Sequence, residues 1–230
     1  MLPGPTFAST NPPGGMSEQS DLSRLEFFSD GVMAIAATLL VLELKVPRMD
    51  EVHTAHEAWA ALGKLWPSYL AFALSFGMIL VIWVNHHFTL RLLGGLSKHF
   101  LYANGLLLFT ITLLPFPTGV LAEYINTPYA SVGVALYGLS SLFINLAWVV
   151  WWRAMERPLR LFRAEVEQTH IAGVKRNIHL GLALYACSTL MAFLWPTVGI
   201  LFIMGINIMW VTISLAEKRS LPGQAAQGKA

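Results

Sequence analysis

Six apolar stretches, at about residues 25–46, 65–84, 100–121, 129–152, 177–194 and 198–216, decide the class of structure open to this chain. A helix rises ~1.5 Å per residue, so about 20 residues cross the ~30 Å hydrocarbon core of a bilayer. In hydrocarbon every backbone polar group must bond within its own segment, and for single runs of this length only helices achieve that. The sequence therefore predicts an all-α membrane protein with six transmembrane helices in one domain, residues 21–217. Composition agrees, with 55% apolar and 12% charged residues against ~25% charged in ordinary soluble domains. A net charge of +2 is too small to suggest nucleic acid as a partner.

Residues 1–20 are rich in Pro, Gly and Ser, with neither a basic n-region nor an apolar core, and read as a disordered tail rather than a signal peptide. Residues 218–230 read as a second polar tail. Pro115 and Pro117 fall near the far end of the third span, where neighbouring helices and local backbone adjustment satisfy the freed carbonyls. Trp148, Trp151 and Trp152 close the fourth span as an aromatic anchor at an interface. The stretch from Arg153 to Arg176 reads as a charged helix outside the lipid, more simply a solvated segment than a partner surface. Only Trp195, Pro196 and Thr197 separate the last two spans, which makes them an antiparallel hairpin.

Six crossings put both termini on one side. If that side is the cytoplasm, 12 Lys and Arg fall on inside segments, and only Lys45, Arg48 and Lys64 fall outside. The positive-inside rule therefore predicts cytoplasmic termini.

The first span holds the candidate site. It opens with Arg24, Phe28, Ser29 and Asp30, and an unpaired charge at that depth costs a few kcal/mol or more, so these groups must be paired or interfacial. Arg24 and Asp30 are six apart, too offset to pair within one helix, so each reaches for a neighbouring helix. Trp83, Asn85 and His86 end the second span on the same side and can hydrogen-bond around Ser29 and Asp30. Further along, Ile35, Leu39, Leu42 and Val46 recur at spacings of four, three and four, with Thr38 beside them. In a membrane every face is apolar, so this stripe is compatible with lipid, another helix or a pore axis. Glu43, at the outer end, either concentrates cations at a mouth or snorkels beside Lys45.

Other polar residues read more simply. His53 and His56 have helical pair spacing but no further ligands, and His86 and His87 have no carboxylate or Cys partner nearby in sequence, so no metal site is expected. Asn145 and Asn207 serve as interhelical hydrogen-bonding groups, and Cys187 packs within an apolar segment. Thr197, Val198, Gly199 and Ile200 match the start of a carbonyl potassium filter, but the Tyr-Gly ending is missing and the segment opens a helix. No phosphate-binding glycine loop, nucleophile elbow or HExxH motif occurs, so no enzyme is expected.

The string Arg24-x-x-x-Phe28-Ser29-Asp30, followed by Gly31, Ile35, Ala36 and Thr38-Leu39-Leu40, resembles the signature of the transmembrane protein 175 family in its prokaryotic single-repeat form. The likeness extends to the six-span plan, the Trp83, Asn85, His86, His87 cluster and the basic link after the fourth span. It implies a potassium-selective cation channel without a carbonyl pore-loop filter, built as a homotetramer whose first helices line the pore, in a bacterial inner membrane. By resemblance Ile35 is the narrowest hydrophobic constriction, Leu39 and Leu42 are further apolar rings, and Thr38 is a hydroxyl layer. No cofactor is implied beyond permeant potassium, and the partners are the bilayer and monovalent cations. The competing reading is a secondary transporter using Asp30, His86 and Asn207, although the two halves of the chain share no repeated signature.

Overall fold

The computed structural model describes residues 14–48, 50, 52–156, 161–162 and 168–217. Eight α-helices succeed one another among them: α1 Gly14–Leu39, α2 Ala55–Lys64, α3 Trp66–Leu90, α4 Lys98–Thr112, α5 Pro115–Tyr124, α6 Ala130–Glu156, α7 Gln168–Leu194 and α8 Pro196–Glu217. α1 tightens into a 3-10 turn at Leu40–Glu43. Six segments are long and apolar enough to cross a bilayer, namely Ser20–Glu43, Trp66–Leu90, Lys98–Tyr124, Ala130–Glu156, Ile171–Leu194 and Pro196–Leu215. The chain is a multi-pass membrane protein.

Several boundaries differ from the sequence expectation for identifiable reasons. α1 begins at Gly14, inside the stretch read as a tail. α2 was hidden in the polar link between the first two spans. It is held by a capping box in which Glu57 N–H donates to Thr54 Oγ1 at 3.2 Å and the Glu57 carboxylate accepts from Thr54 N–H at 3.1 Å. Its Thr54-x-x-Glu57 spacing was legible. The third span is two helices, because Pro115 and Pro117 lack the N–H groups that a continuous helix needs, and the break falls at Leu113 and Leu114. α6 runs to Glu156 and α7 starts at Gln168, so both ends of the basic link are helical extensions of spans. Residues 157–160 and 163–167 of that link lie outside the described residues, as do residues 1–13 and 218–230 of the two tails.

The tryptophans at the end of α6 are not an interfacial belt. Trp151 and Trp152 are fully buried, and Trp151 packs on Phe100 and Trp148 with ring centroids 5.2 and 4.8 Å apart. Cys187, expected to pack inside, is exposed on α7. Small residues bring helices together where apolar bulk alone gives no selectivity in lipid. A Cβ on Gly138 of α6 would lie 2.8 Å from Thr189 Oγ1 of α7, and one on Gly199 of α8 would lie 2.8 Å from Ala192 Cα. Ser75 Oγ lies 2.7 Å from Thr118 Oγ1 and 3.1 Å from Tyr137 Oη, tying α3, α5 and α6 at mid-depth.

Candidate functional site: the first membrane helix

α1 packs principally against α3 and α4 and leaves its opposite side uncovered. Leu25, Ser29, Met33, Ala36 and Leu40, at helical spacing, form the buried edge. The stripe singled out from the sequence is the other edge: Ile35 is 62% exposed, Leu42 73% and Val46 84%, with Thr38 and Leu39 also exposed. Thr38 donates its hydroxyl to Ile35 O at 2.8 Å, so its donor is spent on its own helix. Phe28 and Arg24 lie on the exposed side as well, and Arg24 makes no ion pair among the described residues.

Three side-chain links fix the Arg24 end of α1. Trp83 Nε1–H of α3 donates to Asp30 Oδ1 at 2.9 Å. His87 Nδ1 lies 2.6 Å from Glu26 Oε1, a contact that the sequence did not suggest, and Trp83 stacks on the His87 ring at 6.1 Å. The third link is a buried chain. Ser29 donates to Leu25 O at 2.8 Å and accepts from Asn104 Nδ2 at 2.9 Å, while Asn104 Oδ1 accepts from Trp151 Nε1–H at 3.0 Å and from His86 Nε2–H at 2.8 Å. One asparagine on α4 thus joins α1, α3 and α6, and the His86 proton must sit on Nε2, leaving Nδ1 without a partner.

The expected network is therefore present in altered form. Trp83 reaches Asp30 directly, His86 reaches Ser29 only through Asn104, and Asn85 turns away into a cavity between α3, α6, α7 and α8. Sequence reasoning missed Asn104 and Glu26. A lone Asn within the first two turns of the third span was the available signal, since buried polar groups in lipid are expensive unless bonded.

At the other end, the Glu43 carboxylate lies over Gly119 of α5, where any Cβ would collide with it, and Lys45 pairs with Glu123. The absence of a side chain at Gly119 makes room for Glu43 against α5. Asn207 lines the space that Asn85 enters, while Asp30 and His86 are not among its lining residues. Among the described residues no three His, Cys, Asp or Glu side chains gather as metal ligands, and His53 is engaged through its backbone N–H with Glu57 at 2.8 Å.

The sequence model of the family described as "Endosomal/lysosomal potassium channel TMEM175" matches residues 24–115, which hold α1 from Arg24 onward, the anchor on α3 and Asn104. A Chamaesiphon minutus protein named as a potassium channel is 41% identical over 191 residues, 82% of this chain and 94% of that protein. The crystal structure of a lysosomal potassium-selective channel TMEM175 homolog from Chamaesiphon minutus superimposes with a TM-score of 0.76 at 36% identity, covering 85% of this chain and 98% of that one. A human protein named as an endosomal/lysosomal proton channel is 28% identical, over 91% of this chain and 45% of its own length. With near-complete coverage of the bacterial relative, and with the anchored first helix inside the matched region, this chain belongs to the TMEM175 family.

Proposed function

We propose that the chain is a subunit of a potassium-selective cation channel in which four copies place the exposed face of α1 around a common axis. The observation carrying this reading is the stripe Ile35, Thr38, Leu39 and Leu42, which its own subunit leaves uncovered while the opposite edge of the same helix is packed. Kinship to bacterial proteins named as potassium channels supports the choice of ion. In this arrangement Ile35 forms the narrowest ring and Leu39 and Leu42 form further apolar rings. Such rings offer no oxygen ligands, so an ion passes partly hydrated, and a closed ring gates by dewetting. Potassium sheds water more readily than sodium, which gives a preference without a carbonyl pore-loop filter, and the Thr38 hydroxyls supply the nearest oxygens. The Arg24 end, rich in links to α3 and α4, faces the cytoplasm of a bacterial inner membrane under the positive-inside rule. Glu43, held against α5, shapes the outer end without hanging free at the mouth.

The test is passive flux through purified protein in liposomes under potassium or sodium gradients, with a pH-sensitive dye reporting protons. Potassium flux above sodium flux, altered in rate or selectivity by Ile35→Ala and Ile35→Asn, is the expected result. Slow, saturable flux that requires a co-substrate and ignores Ile35 would replace the channel with a transporter.

A further inference from the structure

A cavity of about 280 Å³ lies apart from α1, between α3, α6, α7 and α8. Along α3 it reaches from Met78 to Arg91, roughly 20 Å at ~1.5 Å per residue, so it is long for its volume. The deeper walls are apolar, from Met78, Ile144 and Tyr185. Three amides occur at mid-depth, Asn85, Asn145 and Asn207, of which Asn145 donates to Ser141 O at 3.0 Å and Asn207 to Ile203 O at 3.2 Å, so two of them spend a donor on their own helix. Left empty, such a space forfeits contacts on every wall, and water filling it would find few partners.

The far end is different. Arg91, Asn177 and Ser214 stand there, Arg91 makes no ion pair among the described residues, and its guanidinium lies 5.8 Å over the Phe88 ring. Among the described residues no carboxylate lines the cavity. An apolar trough with one uncompensated cation at its mouth complements an anionic head on a hydrocarbon chain. The mouth lies beyond Trp83 to His87 toward the same end of α3, in the inner leaflet under the positive-inside rule.

We propose that this cavity is a binding site for an anionic phospholipid, one acyl chain lying along Met78, Ile144 and Tyr185 and the phosphate held by Arg91. The site bears on the pore helix through α3. Asn85 and Thr89 face the cavity, while Trp83, His86 and His87 of the same turns hold α1, directly or through Asn104, so an occupant props the segment that anchors Asp30 and Glu26.

Native mass spectrometry of the full-length protein, titrated with phosphatidylglycerol, tests this. The native chain should retain the lipid saturably, phosphatidylcholine should be retained more weakly, and millimolar inorganic phosphate should not compete. Arg91→Gln should weaken retention about tenfold or more, the effect of losing one charge-assisted contact. Ser214→Trp, which blocks the mouth, should abolish it, and Arg153→Gln, a cation off the cavity, should leave it unchanged. Unaltered retention in Arg91→Gln would overturn the proposal, as would equal retention of the two lipids or displacement by inorganic phosphate. Arg91 is exposed, so its variant is expected to fold, and size-exclusion of the variant checks that.

Discussion

The two faces of α1 have similar apolar character and opposite surroundings. Met33 is 1% exposed and sits against α3 and α4, while Ile35, two residues on, is 62% exposed. Lipid tails are as apolar as leucine, so burial against protein is not driven by hydrophobic transfer, and what holds one face in is packing and hydrogen bonding. Ser29, Asp30 and Glu26 supply the bonds. The other face is free to meet copies of itself, and an ion path needs that freedom.

The largest effect that would break this contrast is expected at Asn104. Asn104→Leu leaves His86 Nε2, Trp151 Nε1 and Ser29 Oγ without their shared partner, at ~1–3 kcal/mol for each buried orphan, and should lower subunit stability by several kcal/mol in thermal unfolding. A variant as stable as the native chain would mean the chain of bonds does not anchor α1. Met33→Ala comes next. It loses packing but little transfer energy, so about 1–3 kcal/mol is expected in the same assay, toward the low end of what such truncations cost in soluble cores. Trp83→Phe removes the donor on Asp30 and should cost about 1.5 kcal/mol while loosening the Arg24 end of α1, visible as faster amide exchange around Glu26 to Asp30. Smallest for stability is Ile35→Ala, expected within ~0.5 kcal/mol of native yet with altered ion flux. Should Ile35→Ala destabilise the subunit as much as Met33→Ala, the two faces would be equivalent and the contrast would dissolve.

How far these features were legible in the sequence depends on what each one rests on. The six crossings follow from run length, and length is local. The break before Pro115 was half legible, since proline marks where the ladder fails but not whether neighbours repair it. The burial of Trp151 and Trp152 was not legible, because a tryptophan at the end of an apolar run reads the same at an interface and in a core. Their partners lie elsewhere in the chain: Trp151 is drawn in by Asn104 of α4, 47 residues earlier, and Trp152 packs its ring on Phe162 in the link after α6. Within the candidate site the stripe at Ile35, Leu39 and Leu42 came from the helical period, but its exposure depends on where α3 and α4 pack. Asn85 and His86 illustrate the same limit. They are adjacent in sequence, one turns to the cavity and the other to Asn104, and the packing of α4 on one side and of α6, α7 and α8 on the other decides which.

The most direct test of the central claim compares the two faces with one reagent. In a Cys187→Ser background, which removes the exposed native thiol, single cysteines are placed at Ile35 and Leu39 on one face and at Met33 and Ala36 on the other, and potassium flux is followed as a thiol-reactive cation is added. The account predicts block at 35 and 39 and none at 33 and 36. Block confined to 33 and 36, or absent at 35 and 39 while those thiols are modified, would show that the exposed stripe meets lipid and that ions pass elsewhere.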